Sequence, residues 1–340
     1  MCYWQVLELV IHGEELLLKF KIHMFVVRLA YFLLPKVIKN IVLLYQQNKT
    51  VQKGRIRQKY KVSKQYLNSV FEGLDLDADV FVHSSLMEIG KVEGGYKCLV
   101  ELLNKNVIQC NHTLLFSALP AKGSSEDYIK SISCFDIRTA SVAMGVINDY
   151  YSMLPNAVRS MSPTHSVVAV GGNAEYYVNE HHLSEVPFDE NSPYFRIVKN
   201  NGKILMLGAG LKHLTLIHVV EDLLGSDFPS RIYTKQLFMV DVINKSGNEI
   251  KCKFRAHSKY RGLFRDVTEI TNKIRLLPST KILPLGASEI ILMDAVDVVI
   301  SLLLSLKNGV SAYGRCKLSA KGLEKANYWI DYFNKIKHNE

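Results

Sequence analysis

Residues 159–166 contain the side chain best suited to chemistry, His165. The segment reads RSMSPTHS and places this histidine between two small hydroxyl residues, just after Pro163. Proline fixes its own backbone and favours extended backbone before it, which suits a loop that delivers one side chain into a cleft. An imidazole titrates near neutral pH and can take a proton from an attacking amine. On spacing alone, a structural histidine is the more common interpretation, so the rest of the sequence must decide.

A second chemical signal lies in residues 81–95, FVHSSLMEIGKVEGG. An apolar strand runs into Ser84 and Ser85, and Gly94 and Gly95 then open a helix. Unpaired backbone amides at a helix start bind phosphate, and glycine allows a ligand to approach closely. The chain has no GxxxxGK[ST] or GxGxxG pattern, which disfavours ATP and NAD as ligands. A glycine-rich turn with nothing bound is the open alternative.

Several other classes of site are not predicted by the sequence. There is no GxSxG nucleophile elbow and no HExxH metal motif. The adjacent His181 and His182 are interpreted as loop surface. Six cysteines are scattered without a CxxC pair, which indicates neither disulfides nor a zinc ribbon and favours a reducing cytoplasm.

The positive charge is concentrated near the amino terminus. The chain has 340 residues and a formal net charge of +10, but residues 16–71 contain twelve Lys or Arg and no Asp or Glu. The remainder is therefore net −2 (10 minus 12). Because the basic pI does not describe the main domain, no nucleic-acid partner is expected.

The charge pattern predicts a basic helical N-terminal extension over residues 1–60, followed by a main domain over 61–308 and a small peripheral extension over 309–340. No uncharged run in the first segment approaches the roughly 20 residues of a bilayer span. One interpretation is an interfacial helix that gives peripheral contact with the inner face of the membrane. The other is a helix packed on the main domain or on a second copy in a homo-oligomer. The expected localisation is cytoplasmic.

Buried strands alternate with amphipathic helices in the main domain, which predicts an α/β fold with a mixed or parallel central sheet flanked by helices. Residues 231–265 alternate apolar and polar residues like a β-hairpin, and residues 121–141 are expected to form a long loop. The predicted strands are one ending at His83, 113–118, 167–170, 203–210 and one near Ile282. The predicted helices are 62–73, 94–104, 144–154, 174–178, 194–199, 214–225, 266–276 and 290–306.

Six ordered blocks of the sequence resemble the aminoglycoside 3-N-acetyltransferase family of coenzyme A enzymes. The blocks are VHSSLMEIG with VEGG, FDIRTASVAMG, RSMSPTHSVVAVG, HHLSEVPFDENSP, ILMLGAGLKHLTLIHVVE and LPLGASEIILMDAVDVV. The resemblance covers about residues 62–305. It implies an antibiotic N-acetyltransferase-like fold with an extra N-terminal segment, acetyl-CoA or another acyl-CoA as co-substrate, and no metal.

Carried over by position, the resemblance makes His165 the general base. It implies that Glu185 orients this histidine, with Asp189 and Glu190 as rivals, and that the Thr215 hydroxyl stabilises an oxyanion. The residues implied to contact coenzyme A are His83, Ser84, Ser85, Leu86, Gly94, Gly95 and Thr164. Those implied to contact the acceptor are Asp136, Asp189 and His218.

Three departures from the family pattern concern the acceptor: Ile137, Ser162 and Leu214 stand where proline, histidine and asparagine are common. The favoured acceptor is a nucleotide-linked amino sugar of surface-polysaccharide synthesis, acylated directly in a ternary complex. The alternative is an aminoglycoside antibiotic. An acidic cleft would favour this polycation, and a basic cleft an anionic acceptor. A second alternative is a non-catalytic binding protein tethered by its basic N-terminal segment.

Overall fold

The structure is a computed structural model that describes residues 54–55, 58–121, 123–262 and 265–338. By its contacts the chain divides into residues 1–55 and 56–340, and the elements below belong to the second unit. The predicted basic segment, with its membrane or partner contact, lies outside the described residues except for its last few positions. Within the ranges that the structure describes, no helix combines the length and the apolar character needed to cross a bilayer.

A mixed sheet of seven strands forms the centre of the described domain. The strands of the domain are β1 (Lys61–Val62), β2 (Val80–Ser84), β3 (Lys91–Val92), β4 (Leu114–Ser117), β5 (Cys134–Asp136), β6 (Val158–Arg159), β7 (Val167–Val170), β8 (Lys203–Leu207), β9 (Phe238–Ile243), β10 (Glu249–Phe254), β11 (Lys281–Leu285), β12 (Ser288–Asp294), β13 (Val310–Ser311) and β14 (Gly314–Arg315). The central order is β11-β12-β8-β2-β4-β7-β6. The pairs β8-β2 and β2-β4 are parallel and the other four are antiparallel. The predicted mixed central sheet is confirmed.

Helices cover both faces of this sheet. They are α1 (Lys64–Glu72), α2 (Leu86–Ile89), α3 (Tyr96–Asn106), α4 (Ser125–Lys130), α5 (Val146–Ser152), α6 (Ala174–Val178), α7 (Pro193–Lys199), α8 (Ile217–Leu224), α9 (Lys259–Gly262), α10 (Thr268–Arg275), α11 (Ala295–Lys307) and α12 (Ala320–His338). Successive strand residues point to opposite faces, so Phe81 joins the core under α7, α8, α11 and α12, whereas Val80 and Val82 join the core under α1, α3 and α5. Burial on both faces explains why the central strands are continuous apolar runs.

The parallel strands end at one edge of the sheet, which we call the carboxyl edge. β2, β4 and β8 all run toward it. β7 is antiparallel to β4, with Ser117 opposite Val167, so the chain enters β7 at the same edge. Residues 84–85, 118–121 and 160–166 therefore lie together there, the position at which open α/β sheets bind ligands.

A second, smaller sheet corrects the prediction of a loop over residues 121–141. That segment contains α4 and β5, and β5 pairs in parallel with β9 in the order β10-β9-β5. The predicted hairpin is confirmed, since β9 and β10 pair antiparallel. The polar sequence of this segment did not predict β5, because β5 has only three residues and depends on pairing with β9, about 100 positions further along the chain.

Two further predictions were wrong. The helix over 290–306 is instead β12 followed by α11, because a buried apolar run has no periodicity that separates strand from helix. The segment after residue 308 is not peripheral, since α12 packs on α11 and buries Ala326 and Phe333 completely in the main core.

We predict that Phe333→Ala lowers the free energy of unfolding by about 3–5 kcal/mol, because it opens a cavity in a core that has no solvent access. The matched control is Tyr328→Ala on the same helix, where the side chain is 60% exposed and the loss should stay below about 1 kcal/mol. Urea unfolding followed by circular dichroism measures both. Equal losses would show that α12 is not part of the cooperative core.

Candidate active site

The loop over residues 160–166 joins β6 to β7 and carries His165 at the carboxyl edge. Its ends are closed by backbone and hydroxyl bonds: the Ser160 amide donates to the Val167 carbonyl over 2.9 Å, and the Val167 amide donates to Ser160 Oγ over 2.8 Å. The Tyr194 hydroxyl donates to the His165 carbonyl over 3.3 Å. His165 is thus positioned by hydrogen bonds of its backbone and of its loop neighbours. None of these bonds uses a ring nitrogen of His165.

Arg159 ties this loop to the strand connections beside it. Its guanidinium donates to the carbonyls of Ala118 and Ser141 over 2.7 and 3.0 Å, to the Ala140 carbonyl, and to Ser166 Oγ over 3.1 Å. Burial lowers its pKa to about 10, so it stays charged at neutral pH. A planar fork with fixed donors suits this multidentate role, which a lysine could not fill.

His181 fixes the other side of the loop and corrects the prediction of a surface histidine. It is 1% exposed, with Nδ1 2.8 Å from Ser160 Oγ and Nε2 2.9 Å from the Pro187 carbonyl. A carbonyl only accepts, so Nε2 carries the proton and Nδ1 accepts from the Ser160 hydroxyl. In the pair of His181 and His182, His181 is therefore a structural residue.

A pocket of about 360 Å³ opens beside His165. Of the residues that the sequence predicted for the site, Thr164 and His165 lie in its wall. The other lining residues are Leu119, Pro120, Ala121, Gly123, Ser124, Ser125, Tyr128, His257, Ser258, Lys259 and Gly262. His257 follows β10 in a segment without a motif, and sequence reasoning missed it.

Three histidines and a phenylalanine pack as one ring cluster behind this pocket. The ring centroids of His165 and His257 are 5.2 Å apart, and those of His257 and His218 are 4.6 Å apart. Phe188 lies 4.8 Å from His165 and stacks on His257 at 5.7 Å with 9° between the planes. The structure thus brings predicted His165 and His218 together through an unpredicted residue.

Burial lowers the pKa of His165, His218 and His257 well below the usual range of histidine. The three rings are therefore neutral at neutral pH. His165 Nδ1 and His257 Nε2 are both buried without a hydrogen-bond partner in the described part of the chain. The rings of His165 and His257 are adjacent, but no hydrogen bond joins their ring nitrogens.

Burial also favours the neutral forms of two acids behind the ring cluster. Burial raises the pKa of Glu221 to about 8, and its Oε2 lies 2.7 Å from His218 Nδ1. Burial likewise raises the pKa of Asp222, which accepts from the Phe188 amide over 2.9 Å and from the Tyr233 hydroxyl over 2.7 Å. Asp222 was also missed, and it positions the two aromatic rings that pack against His257.

His218, Glu221 and His257 are the group of described residues that could hold a metal ion, with ligand atoms within 4.8 Å of one another. The positive charge of Arg265, after burial, contributes to the lowered pKa of His218 and His257. The positive charge of Arg265 therefore opposes the binding of a cation at this cluster.

The predicted carboxylates occupy other positions. Glu185 pairs with Arg255 over 3.3 Å rather than with the His165 ring, and Glu190 is exposed. Asp136 binds Arg138 over 2.7 Å in the small sheet. Asp189 Oδ1 accepts from the Asn191 amide over 3.2 Å, and burial raises its pKa. No observed contact supports their roles toward His165 or the acceptor, which stay predictions.

The predicted coenzyme A turn lies along the carboxyl edge. His83 is 7% exposed, burial lowers its pKa to about 3, and its Nε2 lies 3.3 Å from the Thr215 hydroxyl. Ser84 donates to Asn148 over 3.3 Å, and the Ser85 amide donates to the carboxyl end of β8. Leu86 packs in the core. These residues therefore make contacts that hold the fold together at this edge, in addition to their predicted contact with coenzyme A.

The glycine pair offers the open part of that turn. Gly94 and Gly95 have φ of 75° and 63°, and Gly95 precedes the first turn of α3, an 11-residue helix without a side-chain cap. A Cβ added at Gly95 would meet nothing within 4 Å. Free amides beside open space fit a phosphate of coenzyme A.

Comparison with known proteins confirms the resemblance. A family model described as aminoglycoside 3-N-acetyltransferase matches residues 81–302, more than half of the chain. Aminoglycoside N(3)-acetyltransferase III of Serratia marcescens is 31% identical over 153 residues, which are 42% of this chain and 56% of that protein. The type VII enzyme of Streptomyces paromomycinus is 37% identical over 89 residues, 26% and 30% of the two chains. The chain thus spans about half the length, or less, of these curated relatives.

Solved structures share the fold. AAC-IIIb with CoASH has a TM-score of 0.58 at 20% identity and covers 73% of this chain and 97% of its own. A mutant of AAC(3)-IVa in complex with a gentamicin has a TM-score of 0.58 at 21% identity, with 73% and 90% covered. At these identities the likeness establishes the architecture of the domain.

We predict that His181→Ala destabilises the protein by about 2–4 kcal/mol at pH 7.5, because it removes two buried hydrogen bonds and leaves a cavity. Burial lowers the pKa of His181 to about 4 in the folded chain, against about 6.5 when unfolded. The unfolded state therefore binds the proton first as the pH falls, and the wild type loses this contribution between pH 6.5 and 4.

The stability gap between wild type and variant should consequently narrow by about 2–3 kcal/mol over that interval. Urea unfolding at half-unit pH steps measures it, with His338→Ala at the exposed end of α12 as control. A gap that stays constant with pH would rule out a buried neutral His181.

Proposed function

The chain belongs to the aminoglycoside 3-N-acetyltransferase family, and from that premise we propose that it moves an acetyl group from acetyl-CoA to a primary amine of an amino sugar. The observation that carries the proposal is a neutral His165 in the wall of a pocket at the carboxyl edge, beside a second neutral histidine. Acylation of an amine requires a proton acceptor within reach of the attacking nitrogen.

His165 acts as the general base. An imidazole of lowered pKa is a weak base, so it is poorly suited to take a proton from a free ammonium ion. The amine nitrogen becomes much more acidic as it bonds to the thioester carbonyl carbon. His165 therefore removes the proton during or after this attack and passes it to the sulfur as the carbon–sulfur bond breaks, so coenzyme A leaves as the thiol and no acyl-enzyme forms.

His257 stabilises the proton once His165 holds it. When His165 takes the proton on one ring nitrogen, its other nitrogen also carries hydrogen and needs an acceptor. Among the described residues, His257 offers an unused buried nitrogen on the adjacent ring. Tyr233, stacked on His257 at 4.7 Å and bonded to Asp222, holds that ring in place.

We place the co-substrate site at the glycine turn and at the hydroxyl side chains along the carboxyl edge of the sheet. Gly94 and Gly95 with the α3 amides would hold a phosphate of coenzyme A. The Thr215 hydroxyl, 3.3 Å from His83, is the predicted donor to the developing oxyanion.

The acceptor class is the finer part of the proposal. The curated relatives are named for aminoglycosides, and one similar structure holds a gentamicin. These names favour an aminoglycoside as the first acceptor to test, whereas the comparisons give no support to a nucleotide-linked sugar. Release of free thiol from acetyl-CoA, measured over a panel of aminoglycosides and simple amino sugars, tests the activity. A chain that binds acetyl-CoA but acetylates no amine would be a binding protein instead.

We predict that His165→Ala lowers kcat by about 10²–10⁴, because it removes the proton acceptor while leaving the co-substrate turn intact. The control is His112→Asn, a histidine bonded to Asp77 away from the pocket. Thiol release under saturating acetyl-CoA measures kcat, and thermal unfolding checks the fold. A folded variant with unchanged kcat would contradict the role of His165.

We also predict different outcomes for the two candidate partners of His165. Because Glu185 pairs with Arg255, Glu185→Gln should change kcat by less than about threefold, in the range of an exposed ion pair. His257→Phe should lower kcat by at least about tenfold and leave the KM of acetyl-CoA unchanged, since it keeps an aromatic ring in place but removes the acceptor of the His165 proton. The reverse order of effects would restore Glu185 as the orienting acid.

A further inference from the structure

A second pocket, of about 700 Å³, lies at the carboxyl edge and shares no lining residue with the histidine pocket. β12 pairs antiparallel with β8, so the turn at Gly286 between β11 and β12 lies where β8 ends. The reaction described above gives this pocket no role. We call it the tyrosine–lysine pocket, and its lining residues are Tyr60, Lys61, Val62, Ser63, Tyr66, Lys91, Glu93, Pro284 and Gly286.

Main-chain contacts hold the lining of this pocket in place. β1 and β3 pair in parallel, and the Lys91 amide donates to the Tyr60 carbonyl over 2.8 Å. On the opposite wall Gly286 has φ of 63°, and a Cβ added there would lie 2.1 Å from the Ile89 carbonyl oxygen. A backbone that is already ordered can bind a ligand without the entropic cost of ordering itself.

Two lysines stand side by side in the lining. In the pairing of β1 with β3, Lys61 is the Cα partner of Lys91. Neighbouring strands are about 4.8 Å apart and paired residues point to the same face, so the two cationic side chains leave the sheet together. Both are exposed, and neither makes an ion pair with another described residue. Like charges at paired positions repel each other, and a bound anion would relieve this repulsion.

The acid of the lining, Glu93, does not neutralise the lysine pair. Its Oε2 accepts from the Lys64 amide over 2.9 Å at the start of α1. Lys64 Nζ pairs with Glu101 over 2.8 Å and does not add to the charge of the pocket. Two lysines and one glutamate leave the described lining with a formal charge of +1 (2 minus 1). The charge of the pocket therefore favours an anionic ligand.

Two tyrosine rings give the pocket an aromatic wall. Tyr60 and Tyr66 are each 39% exposed. The Tyr66 hydroxyl donates to the Pro284 carbonyl over 2.9 Å, which joins α1 to β11 and fixes this ring. Lys59 Nζ lies over the Tyr60 ring, 5.7 Å from its centroid. Exposed aromatic rings beside cations form the kind of surface on which a base stacks while its phosphate is held.

The pocket adjoins the glycine turn that we propose for a phosphate of coenzyme A. Glu93 lines the pocket, and Gly94 and Gly95 follow it directly in the chain. Consecutive Cα atoms are 3.8 Å apart, so Gly95 lies within about 8 Å of Glu93. Coenzyme A carries its pyrophosphate next to a ribose that bears adenine and a 3′-phosphate. A pyrophosphate at the turn can therefore extend its nucleoside into the pocket.

Building on the proposed acetyltransfer, we propose that the tyrosine–lysine pocket binds the nucleoside end of coenzyme A, with the adenine on the two tyrosine rings and the 3′-phosphate at the lysine pair. Residues 60–66 precede the part of the chain that the family model matches, which begins at residue 81. The 3′-phosphate is then the group by which this chain distinguishes acetyl-CoA from acetyl-dephospho-CoA and from simple pantetheine thioesters.

The test compares three acetyl donors: acetyl-CoA, acetyl-dephospho-CoA, which lacks the 3′-phosphate, and acetyl-pantetheine, which lacks the nucleotide. The variant Lys61→Gln/Lys91→Gln removes both lysines of the pair. We expect it to raise the KM of acetyl-CoA by about tenfold, since a charge-assisted contact is lost. The KM of acetyl-dephospho-CoA and kcat with every donor should stay unchanged. The wild type should prefer acetyl-CoA to acetyl-dephospho-CoA by a similar factor, and the variant should not.

Tyr60→Ala tests the adenine contact separately. Tyr60 contributes its main-chain carbonyl to the pairing of β1 with β3, and alanine keeps that carbonyl. We expect the KM of both nucleotide donors to rise by about fivefold or more because base stacking is lost, and the KM of acetyl-pantetheine to stay unchanged. A Tyr60→Ala variant with unchanged KM values would remove the adenine from this pocket.

The matched control is Lys251→Gln/Lys253→Gln, which removes two exposed lysines from β10 and should alter none of these constants. Thermal unfolding checks that each variant is folded. Equal rises in the KM of acetyl-CoA and acetyl-dephospho-CoA in the Lys61/Lys91 variant, or a wild type that does not distinguish these two donors, would overturn the assignment of the 3′-phosphate.

Direct binding separates this proposal from the activity. Calorimetry with coenzyme A and with dephospho-coenzyme A needs neither acceptor nor turnover. If no amine is acetylated but the wild type binds coenzyme A about tenfold more tightly and the Lys61/Lys91 variant loses this difference, the activity fails and the pocket assignment stands. If acetyltransfer occurs and the variant binds both molecules as the wild type does, the pocket assignment fails and the activity stands.

Discussion

Burial of three imidazoles in one aromatic cluster is the constraint on which the candidate site depends. His165, His218 and His257 can share a low-dielectric space with Phe188 because none of them is charged at neutral pH. Burial also favours the neutral forms of Glu221 and Asp222 behind them, which limits the charge buried in the cluster. A charge appears there only when a proton arrives from outside. Because the cluster is desolvated, a proton that enters it costs stability. A single proton transferred from a bound amine therefore changes the energy of the cluster strongly.

The position of His165 is fixed by hydrogen bonds to the backbone of its loop and not by hydrogen bonds to its ring. Arg159 joins the loop to the carbonyls after β4, and His181 joins Ser160 to the segment that carries Phe188. Asp222 then holds the Phe188 amide. Three elements that are distant in sequence thus meet through hydrogen bonds to the main chain, and the imidazole itself remains available. Ligand-binding residues on loops are commonly positioned in this way by a rigid scaffold.

The fold was largely predictable because its signals are local. Apolar strands ending at Ser84 and Ser117 and the helices between them gave the central sheet, and a proline-histidine loop gave His165. The site was less predictable because its partners are brought together by tertiary contact. His257 stands alone in a basic stretch, and only the bridge to Tyr233 places it against His165. Glu185 looked suitable by position, but Arg255 is close enough to take its carboxylate. The sequence also did not indicate that Arg231 and Arg261 line the same pocket, because they lie on separate elements.

The lowered pKa of His165 decides at which point of the proposed reaction this histidine can accept a proton. A histidine of lowered pKa is a weaker base than an ordinary amine, so it cannot hold the proton of a free ammonium ion. Solvent then takes the first proton on binding, and His165 is left with the second, which is acidic once the nitrogen has attacked.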